Sequence, residues 1–488
     1  MSFYACAEVA LPGILAEHMV VQRNLPVHIW GKAAPKEAVS VAFRGASQST
    51  AADALGRWSV FLPPGEAGGP FDLTIKGANT IEFKDVLVGD VWIASGQSNM
   101  EFQLRQAADA ANDIAAAKYP NIRFLKVART VADYPLDNAS VMRSWADINQ
   151  ETAPLASAVG YFFARNLHQK LNVPVGVIDS TWGGTPADAW TSLHAIGEDP
   201  ALMPVFAEWA RATDSYSTMQ ATYEMRLQDW TRASEKARAE GKPEPPKPPV
   251  PGTRPGGQFT PAGLYNAMIA PLTPFAIRGA IWYQGETNAT PTRAPIYARL
   301  FQTMIRDWRR AWGQGDFPFL FVQLANFQAN PSWPEVREAQ RQTLSLANTG
   351  MAVTIDIGNP TNIHPTNKLD VGLRLALAAR AIAYGEKVEY SGPAFRQVVT
   401  EGSSMRVWFD HGGNGLMSKG GTALKGFEIA GADRKYVAAE ARFDGSSVVV
   451  SSASVAAPVY VRYGWADNPE CNLFNVDGLP ASPFRSAE

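Results

Sequence analysis

Cysteine is almost absent from this chain: its 488 residues include two, Cys6 and Cys471. A pair at opposite ends excludes a disulfide framework and any zinc site of the CxxC type, and the two bond to each other only if the chain ends meet. Charge of one sign is missing too. The 44 Lys and Arg stand against 46 Asp and Glu, for a net charge of -2, and they are spread along the chain. No basic stripe exists to neutralise phosphates, which excludes nucleic acid as a partner. No apolar run reaches the ~18 residues of a membrane-spanning helix, so no membrane partner is expected. The start, "MSFYACAEVALPG", lacks the basic n-region and apolar h-region of a signal peptide. That leaves a cytoplasmic chain or one whose leader has been removed.

What the chain does have is length for about three domains at roughly 150 residues each, and 14 tryptophans. From about residue 9 to 88, short alternating runs such as "PVHIWGKAA" and "AVSVAFRGAS" are broken by turn residues, the pattern of a small antiparallel β-sandwich. After Gly89 the rhythm becomes buried strand followed by amphipathic helix. Strands are expected at 91–94, 122–127, 173–178, 280–283, 319–323 and 352–355, with helices near 154–171, 295–311, 334–347 and 367–384. Such alternation predicts a doubly wound α/β unit with a parallel sheet, spanning 89–385. A polar helical stretch ending in prolines interrupts it at about 195–255 and reads as an insertion with a solvated face and a stiff return segment. β-type runs such as "SMRVWFDHGG" and "APVYVRYGW" resume over 386–488 and form a second β region.

Open α/β sheets bind ligands beyond the carboxyl ends of their strands. Four polar, glycine-bearing loops fall there: Gly96-Gln97-Ser98-Asn99, Asp179 to Thr185, Gln284 to Asn288, and Asp356 to Pro365. They predict one site. A serine is inert as a nucleophile until a base takes its proton, so Ser98 needs a histidine in the same crevice. Of six histidines, His18 and His28 lie in the first β region, His411 in the last, and His168 inside a helix, while His194 follows the second loop. His364 alone sits directly past a strand end and just before a helix. That place disfavours imidazolium, so a carboxylate is expected to compensate, Asp356 first and Glu286 second. Donors for an oxyanion would come from the N–H of Ser98, a glycine N–H of Gly183-Gly184, and the side-chain amide of Gln284 or Asn288. Gln97 and Trp182 are expected to face substrate, and Trp282 to fill core.

The stretches "GQSNMEF", "DSTWGGTPADAW", "AIWYQGETNA", "IDIGNPTNIHPTNK" and "VRYGWADNPECNLFNVDGLPASPF" together resemble the sialate O-acetylesterase family of SGNH hydrolases. The resemblance implies a three-layer α/β/α SGNH-hydrolase fold with a flavodoxin-like parallel sheet and accessory β-sandwich regions at both chain ends. It implies hydrolysis of acetyl esters on sugar hydroxyls without metal or organic cofactor, with Ser98 as nucleophile and His364 as base. It further implies an oxyanion hole of Ser98, Gly184 and Asn288 or Gln284, an acetylated carbohydrate as substrate, and an exported protein, periplasmic or secreted. The chain departs from the wider group in two places: in Gly285-Glu286-Thr287-Asn288 the amide comes one position later than the common GxN spacing, and Thr361 stands three residues before His364, where an aspartate is common. The acid therefore stays open between Asp356, Glu286 and none. Two other readings remain beside this one, a carbohydrate-binding protein without catalysis and an esterase of different acyl preference.

Overall fold

The structure is a computed structural model and describes residues 8–250, 254–328 and 332–486. Cys6 lies outside the described residues, so its pairing with Cys471 is not addressed by the fold. The backbone of the molecule is one strand of 17 residues, β1, Thr80–Gly96. Its first third, "TIEFKD", alternates in exposure along its length and pairs antiparallel with Gly68–Lys76. Its remainder, "VLVGDVWIASG", is buried throughout, as a strand covered on both faces must be. The domain boundary expected after residue 88 therefore falls inside a single strand.

Around the buried part of β1 lie β2 (Lys118–Val127), β3 (Val141–Asn149), β4 (Val175–Thr181), β5 (Gly279–Tyr283), β6 (Phe319–Val322) and β7 (Thr349–Ala352), in the order β7-β6-β5-β1-β4-β2-β3. All neighbours are parallel except the β2–β3 edge pair. The molecule is thus a mixed α/β protein with a mostly parallel central sheet. From β1 the chain builds one side of the sheet through β4 and then crosses to build the other, so the switch point lies at the carboxyl end of β1.

The six helices that matter are α1 (Ser98–Glu101), α2 (Ala158–Leu171), α3 (Met203–Ala239), α4 (Ala294–Trp312), α5 (Trp333–Thr343) and α6 (Lys368–Ile382). Successive strand residues face opposite ways. Trp92, Ile281, Tyr283 and Leu320 pack with α2 and α6, while Ile93, Trp282, Phe319 and Phe321 pack with α4. Helix α4 illustrates how sequence makes this interface. Its Tyr297, Leu300, Phe301, Met304, Ile305, Trp308 and Trp312 recur at helical spacing and are buried, forming one apolar stripe. Pro295 opens its first turn, and Gly313 closes it in the left-handed conformation at φ 64° with its N–H on the Arg309 carbonyl, the glycine C-terminal stop.

Helix α3 fills the expected insertion with 37 residues, few of them buried. The proline-rich segment returns along it: Trp230 Nε1 donates to the Pro245 carbonyl at 2.8 Å, and the Lys247 ammonium lies 5.4 Å from the Trp230 ring centre. At the far end of the chain, two four-stranded antiparallel sheets share a separate core that includes Val407, Ile429, Val461 and Phe484. Arg337 of α5, fully buried, ties this region to the central sheet by donating to the carbonyls of Leu324, Ala325, Ala466 and Asp467. Strand β7 ends at Ala352 rather than at the expected 355, which moves Asp356 further from the sheet edge.

Candidate active site

Gly96 ends β1 at φ 126°, and a Cβ there would stand 2.2 Å from the Tyr283 carbonyl oxygen. Only glycine permits this approach, which brings the first and third loops together. The next residue secures the contact. Gln97 is 3 % exposed; its N–H donates to the Tyr283 carbonyl at 3.0 Å, and its Oε1 accepts from Thr287 N at 3.3 Å. Expected to face substrate, Gln97 instead clamps two loops. Ser98 then opens the short helix α1.

His364 Nε2 lies 2.8 Å from Ser98 Oγ. The two residues are 266 apart in sequence and line one crevice of about 410 Å3 with Glu101, Phe102, Lys126 and Arg129. Burial, reinforced by the Lys368 ammonium, lowers the His364 pKa below 6.5. The imidazole is consequently neutral at pH 7 and able to take a proton from Oγ.

Neither carboxylate foreseen as its orienter touches His364. Asp356, 18 residues from Arg374, receives both arms of that guanidinium at 2.6 and 2.8 Å. Lys419 adds a contact at 3.6 Å. Glu286 is buried and accepts from Asn99 Nδ2 at 2.6 Å. Among the described residues, His364 has no carboxylate partner. Its backbone is held instead: Asn362 Oδ1 accepts from His364 N at 2.9 Å, and Asn99 Nδ2 donates to the Ile363 carbonyl at 3.0 Å.

Asn99 is the residue that sequence reasoning missed. At 1 % exposure it joins Glu286, the Ile363 carbonyl and the Lys368 ammonium, whose Nζ donates to Asn99 Oδ1 at 2.5 Å. Burial lowers the Lys368 pKa to about 7 and raises that of Glu286. Both Asn99 and Lys368 stand inside quoted motifs, "GQSNMEF" and "HPTNK". A charged residue in the first turn of a helix that buries its neighbours was the available signal.

The two amides of the third loop prove to be unequal. Gln284 Nε2 donates to the Thr185 carbonyl and to Asn288 Oδ1, and its Oε1 accepts from Tyr297. Asn288 Oδ1 also accepts from Ala187 N at 3.0 Å, yet its Nδ2 is buried with no partner. A buried donor left free costs stability, which is tolerated where a ligand is to use it. The N–H groups of Ser98 and Gly184 likewise have no acceptor among the described residues. Gly183 N is occupied by Glu101 Oε2 at 2.9 Å, which leaves Gly184 as the free one of the pair. Trp182 is half-buried and packs against the core, outside the crevice lining; Trp282 is fully buried. No group of three His, Cys, Asp or Glu that could hold a metal ion stands together among the described residues.

Comparison with known proteins identifies the family. The family model for carbohydrate esterases described as sialic acid-specific acetylesterases matches residues 252–383. A sialate O-acetylesterase of Mus musculus is 30% identical over 96% of this chain and 92% of its own length. That of Homo sapiens is 31% identical over 75% of this chain and 69% of its own. A crystal structure of a carbohydrate acetylesterase from Xanthomonas citri, 42% identical, superposes with a TM-score of 0.84 and covers 98% of this chain and 99% of that one. The chain belongs to the sialate O-acetylesterase family of carbohydrate esterases.

Proposed function

We propose that this protein is a serine esterase that removes O-acetyl groups from carbohydrate hydroxyls, on a three-layer SGNH-type α/β/α unit flanked by β-sandwich regions. The observation that carries the mechanism is the 2.8 Å contact between Ser98 Oγ and His364 Nε2 in an open crevice. His364 takes the Ser98 proton as Oγ attacks the acetyl carbonyl. The resulting oxyanion accepts from the N–H groups of Ser98 and Gly184 and from Asn288 Nδ2. Collapse breaks the ester bond, and His364 hands its proton to the departing sugar oxygen. Water, deprotonated by the same imidazole, then attacks acetyl-Ser98. Acetate leaves and Ser98 recovers its proton.

No carboxylate is required in this scheme. The Asn362 and Asn99 contacts orient the His364 loop, and the neutral imidazole needs no counter-charge before it acts. Acetate release from an aryl acetate and from an acetylated glycan, compared among the native chain, Ser98→Ala and His364→Ala, tests the proposal. Loss of release in both variants, with unchanged folding and loss of fluorophosphonate labelling in Ser98→Ala, is the expected result; undiminished release by Ser98→Ala would sink it. Comparison of acetyl with longer aryl esters separates an acetylesterase from one of broader acyl preference.

A further inference from the structure

A larger groove, about 620 Å3, lies between the N-terminal β region and loops of the central unit, away from Ser98. Its floor comes from two paired strands, Val27–Lys32 and Arg57–Leu62, whose register sets His28 opposite Phe61, Trp30 opposite Ser59 and Lys32 opposite Arg57. Alternation sends Val27, Ile29, Val60 and Leu62 into the core and leaves His28 and Trp30 on the other face. There the rings stack. His28 lies between Phe61, at 4.2 Å and 8°, and Trp30, at 4.9 Å and 27°. Phe61 is 60% exposed. Pro12, Leu136, Pro271 and Pro274 wall the groove.

On this face one buried polar atom, His28 Nε2, has no partner among the described residues. His28 Nδ1 stands 3.1 Å from the Pro274 carbonyl oxygen, so that nitrogen carries the hydrogen and donates. Burial lowers the His28 pKa and keeps the ring neutral. Its Nε2 is then an acceptor. An acceptor beside a flat aromatic strip complements a hydroxyl group on a ring with an apolar face. Rim charges cancel in pairs, Lys32 with Asp137 at 3.6 Å and Arg57 with Asp53 at 3.1 Å. A ligand with net charge gains little there, and a neutral polyol matches the ring faces and the His28 acceptor.

We propose that this groove is a second carbohydrate-binding site, taking a neutral oligosaccharide of β-linked, all-equatorial pyranoses with one sugar ring on Trp30. The choice of a glycan ligand rests on the esterase reading above. Bound there, a polymer is held on the enzyme while its acetyl groups are presented elsewhere.

The test is calorimetric titration of the full-length Ser98→Ala chain with β-1,4-linked hexaoses of glucose and of xylose. At least one is expected to bind, and adding Trp30→Ala or Ser59→Arg to weaken it at least tenfold, with circular dichroism and Tm unchanged. Ser59 is an exposed strand residue opposite Trp30, so an arginine there covers the indole without disturbing the core. It decides the matter if Trp30→Ala fails to fold. Absence of binding by both hexaoses, or binding that survives Ser59→Arg, overturns the proposal. Hydrolysis of an aryl acetate by the native chain, measured in parallel, reports on Ser98 alone. A groove that fails and an esterase that fails are thereby told apart.

Discussion

Lys368 and Asn99 share a hydrogen bond of 2.5 Å in the interior, and Asn99 is the immediate neighbour of Ser98. A lysine pushed down to about 7 by burial, four residues after His364, gives the proposed base a titrating companion. The positive form of Lys368 opposes a second positive charge on His364, which is the smaller of the two causes of the lowered His364 pKa. The base works deprotonated, so the rate falls as pH drops through that pKa, and the acid limb of kcat/KM is expected below pH 6.5. Lys368→Met removes the repulsion and is expected to move this limb upward. A pH–rate profile of both proteins on an aryl acetate checks the sign; a limb that stays fixed or moves downward contradicts it.

Asn288 offers a sharper test of the oxyanion donors than simple truncation. Asn288→Asp keeps an oxygen for Ala187 N and Gln284 Nε2 but removes the free amide donor. Its kcat is expected to fall by on the order of 10²–10³ or more, as for loss of one oxyanion donor. Gln284→Ala strips three buried contacts and is expected to lower Tm first. Steady-state kinetics beside thermal melting distinguishes the two. Equal kinetic losses from equally stable variants would remove the basis for ranking Asn288 above Gln284.

Asp356 is expected to matter for stability and not for proton transfer. With Asp356 6% and Arg374 10% exposed in their side chains, Asp356→Asn leaves a buried guanidinium without its counter-charge, a change that costs about 3–5 kcal/mol in comparable pairs. Urea denaturation measures that loss. Below the unfolding transition, kcat and its pH midpoint are expected to stay near the native values, and an alkaline or acid shift of the midpoint would return Asp356 to the role of orienter.

The meeting of Ser98 and His364 is legible from sequence because both stand on loops that follow the carboxyl ends of buried strands, Gly96 for the one and Ala352 for the other, where topology leaves few alternatives. The mostly parallel sheet is legible for the same reason. Partner choice among carboxylates is not. Asp356 sits on the expected loop, but its nearest cation, Arg374, lies on the face of α6 turned toward that loop, 18 residues away, and a bidentate guanidinium outcompetes an imidazole for both oxygens. Gln97 was misjudged through a related ambiguity: a polar residue next to a nucleophile reads equally as a substrate contact or as a loop clamp until the neighbouring Gly285–Thr287 backbone is in place. Asn99 and Lys368 are hidden because a buried charge network leaves no periodic trace.

Strand β1 carries a consequence for how this protein can be divided. It begins as a one-sided strand of the N-terminal region and ends, 17 residues later, two residues before Ser98. No flexible joint separates the aromatic groove region from the nucleophile. Gene fusion and module exchange operate at linkers, and here the junction is a hydrogen-bonded rod in the middle of the central sheet. A cut between the N-terminal region and the active site would therefore sever a strand of the central sheet, and the groove can be altered by substitution on its surface more readily than by exchange of the region.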